Sequence, residues 1–164
     1  MRRLKITLAK NSNKPSVLSC TREDGSTTWT SVYPGLELHE LAHYVVEQRL
    51  ELNNYFYGLL AQGYNIEDFE LPKDERPTEL MPSNLPVESL VVEHMVNLLQ
   101  VGFNSEDYDF FQTLQSVLAE KQLPLPEQVD ESMAQQLQAE LRLWWQKWTN
   151  LGVNDKLELE FVCA

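Results

Sequence analysis

The chain is predicted to adopt an α+β fold, in which a small antiparallel sheet from both chain ends packs against four or five helices. Three observations predict it. Polar and apolar residues alternate near the N-terminus, they alternate again near the C-terminus, and the segments between carry apolar residues at helical spacing. With 164 residues and 43% hydrophobic side chains, residues 1–164 are expected to form a single domain with its own core.

Strands are predicted at both ends of the chain. Residues 3–9 alternate polar and apolar side chains, while Ser16–Arg22 and Thr27–Val32 flank an Asp-Gly pair that is typical of a hairpin turn. Residues 156–162 alternate in the same way, with acidic side chains on the polar face where residues 3–9 carry basic ones. We therefore expect residues 3–9 and 156–162 to be neighbouring strands.

Helices are predicted for most of the chain between these strands. Each combines an apolar stripe with turn or capping residues at its ends. Residues 72–86 contain four prolines and few apolar residues, so we expect a long irregular connection there. The predicted helices span approximately residues 36–50, 55–62, 87–101, 105–120 and 131–150.

Two helix ends share a sequence pattern. Residues 59–69 and 98–108 each contain a Leu pair, a glycine expected in the left-handed conformation, an aromatic residue, and acids at the start of the next helix. Two explanations remain open. The pattern is either a duplicated helix-turn-helix unit or one local solution that the chain uses twice.

Charge and cysteine usage narrow the functional classes. A formal charge of −12 argues against binding to nucleic acid phosphates, and no window approaches the roughly 18 apolar residues of a membrane span. The basic, alternating N-terminus lacks the apolar core of an export signal. We therefore expect a cytoplasmic protein in which Cys20 and Cys163 are free thiols.

One segment suggests chemistry, the stretch His39-Glu40-Leu41-Ala42-His43 in the first predicted helix. Residues four apart share a helix face, so both imidazoles can bind one zinc ion, with Glu40 close enough to activate a metal-bound water. The stretch resembles the HExxH motif of zincin metallopeptidases over about ten residues. The resemblance implies that His39 and His43 are zinc ligands and that Glu40 is the general base.

The motif leaves the third ligand open. Glu47 shares the histidine face, but it lies about 12 Å from His39 along a straight helix, which is too far for one ion. Glu88, Glu93 and His94 are better placed, and His94 falls within an apolar stripe that is expected to face inward. The alternative for His94 is a core residue whose ring nitrogen bonds a backbone carbonyl. The predicted metal ligands are His39, His43 and His94.

Two functional classes follow from these patterns. The first is a small zincin-like metal-dependent hydrolase, with zinc as cofactor and peptides among its candidate substrates. The second is a non-enzymatic acidic interaction or regulatory protein in which the HExxH pattern is incidental and the partner is another protein or a peptide.

Overall fold

Four antiparallel strands form one sheet in the computed structural model, which describes residues 1–164. The strand order is β3-β2-β1-β4, so β3 and β4 form the two edges and the chain ends pair with each other. This is the predicted α+β fold, with five helices. The strands are β1 (Arg2–Ala9), β2 (Ser16–Arg22), β3 (Thr27–Val32) and β4 (Lys156–Cys163).

The predicted pairing of the chain ends is confirmed. Strands β1 and β4 are antiparallel along their whole length, with Leu4 opposite Phe161 on the buried face. Opposite charges meet on the outer face, as the alternation predicted. Two ion pairs form there, each with an N–O distance of 3.0 Å: Arg3–Glu160 and Lys5–Glu158.

The helices agree with the prediction except at one start. The helix expected from Ser105 begins at Phe110, because the Asp109 side chain accepts a hydrogen bond from the backbone N–H of Gln112 and caps the helix there. None of the five helices is long and apolar enough to span a membrane. The helices are α1 (Glu37–Arg49), α2 (Phe56–Gln62), α3 (Val87–Val101), α4 (Phe110–Glu120) and α5 (Glu131–Thr149).

The connection predicted at residues 72–86 is irregular apart from one 3₁₀ turn, Thr78–Leu80. A second 3₁₀ helix, Ile66–Glu70, precedes it and contacts β3. Helix α1 lies at the centre of the fold and contacts α2, α3, α5 and β4. The apolar faces of the sheet and helices meet in one core of 32 buried residues.

The two similar helix ends differ in backbone conformation. Gly63 has a φ of 118°, the expected left-handed end of α2, whereas Gly102 has a φ of −90°, so that part of the prediction is wrong. Gly102 instead makes room for an aromatic ring, since a Cβ there would lie 1.7 Å from Cδ1 of Tyr108. The two glycines therefore serve different physical needs, which favours independent origins for the shared pattern.

Both cysteines are free and buried. Cys20 on β2 pairs with Ile6, whereas Cys163 on β4 pairs with Arg2, so they lie on opposite sides of β1 and four residues apart along it. Burial raises the pKa of the Cys20 thiol to about 12, which makes it a poor nucleophile.

Candidate functional site

The two histidines of the HExxH motif lie side by side on α1, where α1 packs against α3. Their ring centroids are 4.6 Å apart in an edge-to-face arrangement, as the four-residue spacing predicts. Nδ1 of His39 lies 3.0 Å from Nε2 of Gln100 on α3. His39 is half-buried and His43 is buried, so only His39 is open to solvent.

His43 lies between two carboxylates. Its Nδ1 is 3.3 Å from Oε2 of Glu47, one turn further along α1, and its Nε2 is 3.6 Å from Oε1 of Glu93 on α3. The Tyr55 ring stacks on the imidazole, and the Tyr55 hydroxyl donates a hydrogen bond to Glu93. We call His39, His43, Glu47 and Glu93 the histidine cluster.

Glu47 is completely buried, and it connects α1 to α2. Its Oε1 accepts a hydrogen bond of 3.0 Å from the backbone N–H of Tyr57, in the first turn of α2. A carboxylate at this position satisfies one of the free N–H groups at the helix start and interacts favourably with the helix dipole. Burial raises the pKa of Glu47, while the His43 hydrogen bond acts in the opposite direction.

The cluster shifts the pKa values of its two imidazoles in opposite directions. Burial lowers the pKa of His39, and the neighbouring charge of His43 lowers it further. Burial also works against a charged His43, but the hydrogen bond and charge of Glu47, together with the charge of Glu93, outweigh it and raise the pKa of His43. The two carboxylates therefore favour the protonated form of the His43 imidazole.

The predicted zinc ligands are only partly brought together. His39 and His43 are adjacent, but His94 is half-buried and forms no hydrogen bond or ion pair with either of them. Glu93, its neighbour on α3, reaches His43 instead. No three His, Cys, Asp or Glu side chains are grouped as ligands for one metal ion. The side chains as arranged do not form a ready zinc centre.

A second feature lies at the other side of α1, along the outer edge of β3. None of the backbone N–H or C=O groups of Thr27–Val32 bonds to any element except β2. Alternate residues of an edge strand direct these groups away from the sheet, where they can pair with another strand. Beside them runs a cavity of about 810 Å³, within the range of ligand sites in proteins.

The 3₁₀ helix Ile66–Glu70 forms one wall of this cavity, and side-chain contacts tie it to β2 and β3. The backbone N–H of Ile66 donates to Oγ1 of Thr28, 2.9 Å away. The Arg22 guanidinium donates to the carbonyl of Leu60 at 2.7 Å and to Oδ1 of Asn65 at 3.0 Å. These bonds anchor the 3₁₀ helix, and none of them uses the backbone N–H or C=O groups of β3.

Exposed aromatic side chains and acids line this cavity. Trp29 is 65% exposed and Tyr33 is 63% exposed, an unusual state for such large side chains outside a contact surface. Leu36, just before α1, is 49% exposed. No basic residue lines the cavity, and its acids are Glu40, Glu67 and Glu70. We call this cavity, with the outer edge of β3, the edge groove.

Glu40 belongs to the edge groove as well as to the HExxH motif. It is half-buried, and burial raises the pKa of its carboxyl group. Its backbone carbonyl accepts a hydrogen bond from the Tyr57 hydroxyl at 3.3 Å, which ties this turn of α1 to α2. The motif thus divides between two places, with its histidines against α3 and its glutamate in the groove.

No protein-family model matches the chain, and comparison with curated proteins and with solved structures finds no match. The geometry of the two features therefore has to support any functional conclusion.

The sequence predicted that the two histidines are adjacent, but it did not predict the contact of His43 with Glu47, the choice of Glu93 as the residue of α3 that reaches His43, or the groove. Glu47 was considered only as a zinc ligand, although its spacing of four residues from His43 already indicated a contact on one helix face. The groove had a weaker signal, since the alternation of β3 places Trp29 on the polar face of the strand. An aromatic residue among threonines and serines there marks a surface of interest.

Proposed function

We propose that this protein is a non-enzymatic interaction protein that binds a partner polypeptide in the edge groove. The open edge of β3 carries the proposal, because its unpaired backbone groups lie beside a cavity lined by exposed Trp29 and Tyr33. Aromatic residues supply most of the binding energy in many protein interfaces. An exposed edge also invites aggregation unless something pairs with it, so its retention here suits a binding role.

The histidine cluster supports this proposal through its internal contacts. His43 is buried, and both of its ring nitrogens face carboxylates of the same chain. Glu47 bonds both His43 and the first turn of α2. Such a network joins three helices and gives the HExxH residues a structural role that requires no substrate.

Selection from a random peptide library tests this proposal. Peptides would be selected on the immobilised full chain and then tested against a variant carrying Trp29→Ala and Tyr33→Ala. Both side chains are largely exposed, so the variant should keep its fold. The matched control is Leu143→Ala, which removes a half-exposed apolar side chain from α5. We expect selected peptides that bind the control as they bind the original chain and lose binding to the groove variant.

A selection that enriches no peptide would contradict the proposal. So would a selection in which every enriched peptide binds the groove variant as tightly as the control. Either result would show that the edge groove is not a polypeptide-binding surface.

One observation favours a second candidate, the zincin-like hydrolase with zinc as cofactor. Nε2 of His43 and Oε1 of Glu93 are 3.6 Å apart, close to the separation of about 3.4 Å that two ligands of one tetrahedral zinc ion adopt. Oε2 of Glu47 lies 3.3 Å from Nδ1 of His43, as an outer partner that accepts a hydrogen bond from a zinc-bound imidazole does. Rearranged side chains of His39, His43 and Glu93 would then hold the ion, and Glu40, which lines the edge groove, would also have to turn towards the ion to act as the base.

Calorimetric titration of tag-free protein with Zn²⁺ tests this second candidate. The hydrolase candidate requires one bound Zn²⁺ per chain in the original protein and no Zn²⁺ binding after His39→Ala or Glu93→Gln. The matched control is His94→Ala, which should bind as the original chain does if Glu93 is the third ligand. Absence of stoichiometric binding to the original chain would leave the interaction protein as the sole candidate.

A further inference from the structure

The edge groove has features that specify what kind of polypeptide it takes. On β3, Trp29 lies on the outer face of the sheet, whereas Thr28 lies on the buried face and bonds the 3₁₀ helix Ile66–Glu70. The 3₁₀ helix, with Glu67 and Glu70, therefore stands on the buried side of the strand edge. A strand that paired with β3 would direct alternate side chains towards these two environments.

Apolar side chains suit the outer position of such a strand. A residue directly opposite Trp29 in a paired strand lies about 5 Å from it between Cβ atoms, and β-branched residues pack well against aromatic rings in that geometry. Trp29 has no such partner on its open side, and it is 65% exposed. Pairing would cover the indole and remove its apolar surface from water.

Basic side chains suit the inner position. Glu40, Glu67 and Glu70 line the groove, and no lysine, arginine or histidine lines it. Carboxylates on one side of a narrow cavity attract a cation more strongly than scattered surface charges do, since the protein walls reduce screening by water. The same acids repel a second acidic chain, which argues against pairing between two copies of this protein at net charge −12.

We infer that the edge groove binds an extended polypeptide segment that adds to the sheet as a fifth strand beside β3, with lysine or arginine alternating with β-branched residues. This inference rests on the proposed function and specifies its ligand. The open backbone groups of β3 supply hydrogen bonds to the main chain of the segment, and the alternating side chains supply selectivity. The three acids and Trp29 determine which face of the segment is turned inward.

A fluorescent nonapeptide in which lysine alternates with valine is the probe. Its acidic twin carries glutamate in place of lysine. Fluorescence anisotropy should show binding of the basic peptide to the full chain and binding of the acidic twin that is weaker by about tenfold or more. Reversal of two groove acids, Glu67→Lys with Glu70→Lys, should reverse this preference. The matched control reverses two exposed acids elsewhere, Glu106→Lys with Asp107→Lys, and should leave the preference unchanged.

Backbone N-methylation tests whether the segment binds as a strand. In an added strand, the amides of alternate residues face β3, and the other amides face solvent. N-methyl groups on the valines only, or on the lysines only, should therefore give one peptide that loses binding by about tenfold or more and one that keeps it. Hydrogen exchange should also slow at backbone amides of Thr27–Val32 when the unmodified peptide is bound.

The outcomes separate this inference from the proposed function. If the random library yields groove-dependent peptides but the basic probe does not bind, or if both methylated probes bind equally, the fifth-strand inference is wrong and the interaction protein stands. A concentration-dependent dimer of the chain that Trp29→Ala abolishes would also overturn the inference, because a second copy would then occupy the edge.

Discussion

The two edges of the sheet are treated differently by the rest of the molecule. At β4, α1 covers the strand: Gln48 accepts a hydrogen bond from the backbone N–H of Val162 at 2.9 Å, and the Tyr44 hydroxyl donates to the carbonyl of Glu160 at 3.0 Å. At β3, no other element bonds the outward backbone groups. The 3₁₀ helix Ile66–Glu70 contacts β3 but bonds only the Thr28 side chain, so the outward backbone groups stay open although other structure lies nearby.

The two edges therefore have different roles, because the covered edge contributes to stability and the open edge is available for binding. The covered edge belongs to the core, where Phe161 and the alternate residues Leu157, Leu159 and Cys163 of β4 are buried. The open edge keeps its aromatic side chain, Trp29, in solvent. Edge strands left open are prone to aggregation, and the acids of the groove together with the short length of β3 limit that risk.

The largest expected effect concerns the covered edge. Deletion of residues 155–164 removes β4, exposes the buried side of β1 and should abolish cooperative unfolding, because the loss exceeds the few kcal/mol by which a domain of this size is stable. Thermal melting, monitored by near-ultraviolet circular dichroism, measures the cooperativity of unfolding. A milder variant, Phe161→Ala, should cost about 3–5 kcal/mol by leaving a cavity. A truncated chain that melts as sharply as the full one would contradict the central role of β4.

The sequence allowed the covered edge to be predicted and not the open one. Alternation at both ends, with opposite charges on the outer faces, was sufficient to pair Leu4 with Phe161 and Arg3 with Glu160, since each strand exposes only one face. The groove instead depends on Arg22, which holds Asn65 through a contact between residues 43 positions apart. No local pattern encodes such a contact.

The candidate site was predicted to a similar extent. Helical spacing placed His39 beside His43, because local geometry alone determines that contact. The approach of Glu93 to His43 depends on how α3 docks on α1, and sequence could only narrow it to a few residues of α3. Sequence alone did not indicate that Glu93, the neighbour of His94, is the residue of α3 that reaches His43.

The second-largest expected effect tests whether Gln48 protects the covered edge at β4. Gln48→Ala should lower the free energy of unfolding by about 1–3 kcal/mol, because it leaves the Val162 backbone N–H and C=O without their side-chain partner. Urea denaturation measures the change. The matched control, Gln115→Ala on the exposed face of α4, should stay within about 0.5 kcal/mol of the original chain. Equal costs for the two variants would show that Gln48 does not protect the edge.

The third effect concerns α1, which lies between the two edges and carries the histidine cluster. The pKa of His43 is raised in the folded chain, chiefly by Glu47, so its stabilising contribution is complete below the unfolded pKa of about 6.5 and is lost as pH rises through the folded value. The raised pKa of Glu47 acts with the same sign. The stability advantage of the original chain over His43→Gln should therefore shrink from about pH 6 to about pH 8.5, by at most about 1.4 kcal/mol per pH unit for one proton.

Urea denaturation at both pH values measures this difference. His39 has a lowered pKa, partly because of the charge of His43, and His43 also opposes the raised pKa of Glu47, so the comparison with His43→Gln reports His43 together with its coupling to these two neighbours. The matched control is Gln115→Ala, which removes no titratable group, so its stability relative to the original chain should be the same at both pH values. An advantage that grows with pH would show that burial, and not the carboxylates, dominates the pKa of His43.

The smallest expected effect on stability concerns Trp29 at the open edge. A small effect would show that this side chain is not needed for folding. Trp29→Ala removes a side chain that is 65% exposed and has no hydrogen-bond partner, so the free energy of unfolding should change by less than about 0.5 kcal/mol. Urea denaturation beside Phe161→Ala provides the comparison, since both variants truncate an aromatic residue on an edge strand of one sheet. If the free energy of unfolding barely changes for Trp29→Ala but falls by several kcal/mol for Phe161→Ala, the open edge does not need the indole for folding. A loss above about 2 kcal/mol for Trp29→Ala would instead mean that Trp29 supports β3 itself, which would remove the reason to assign it to a partner.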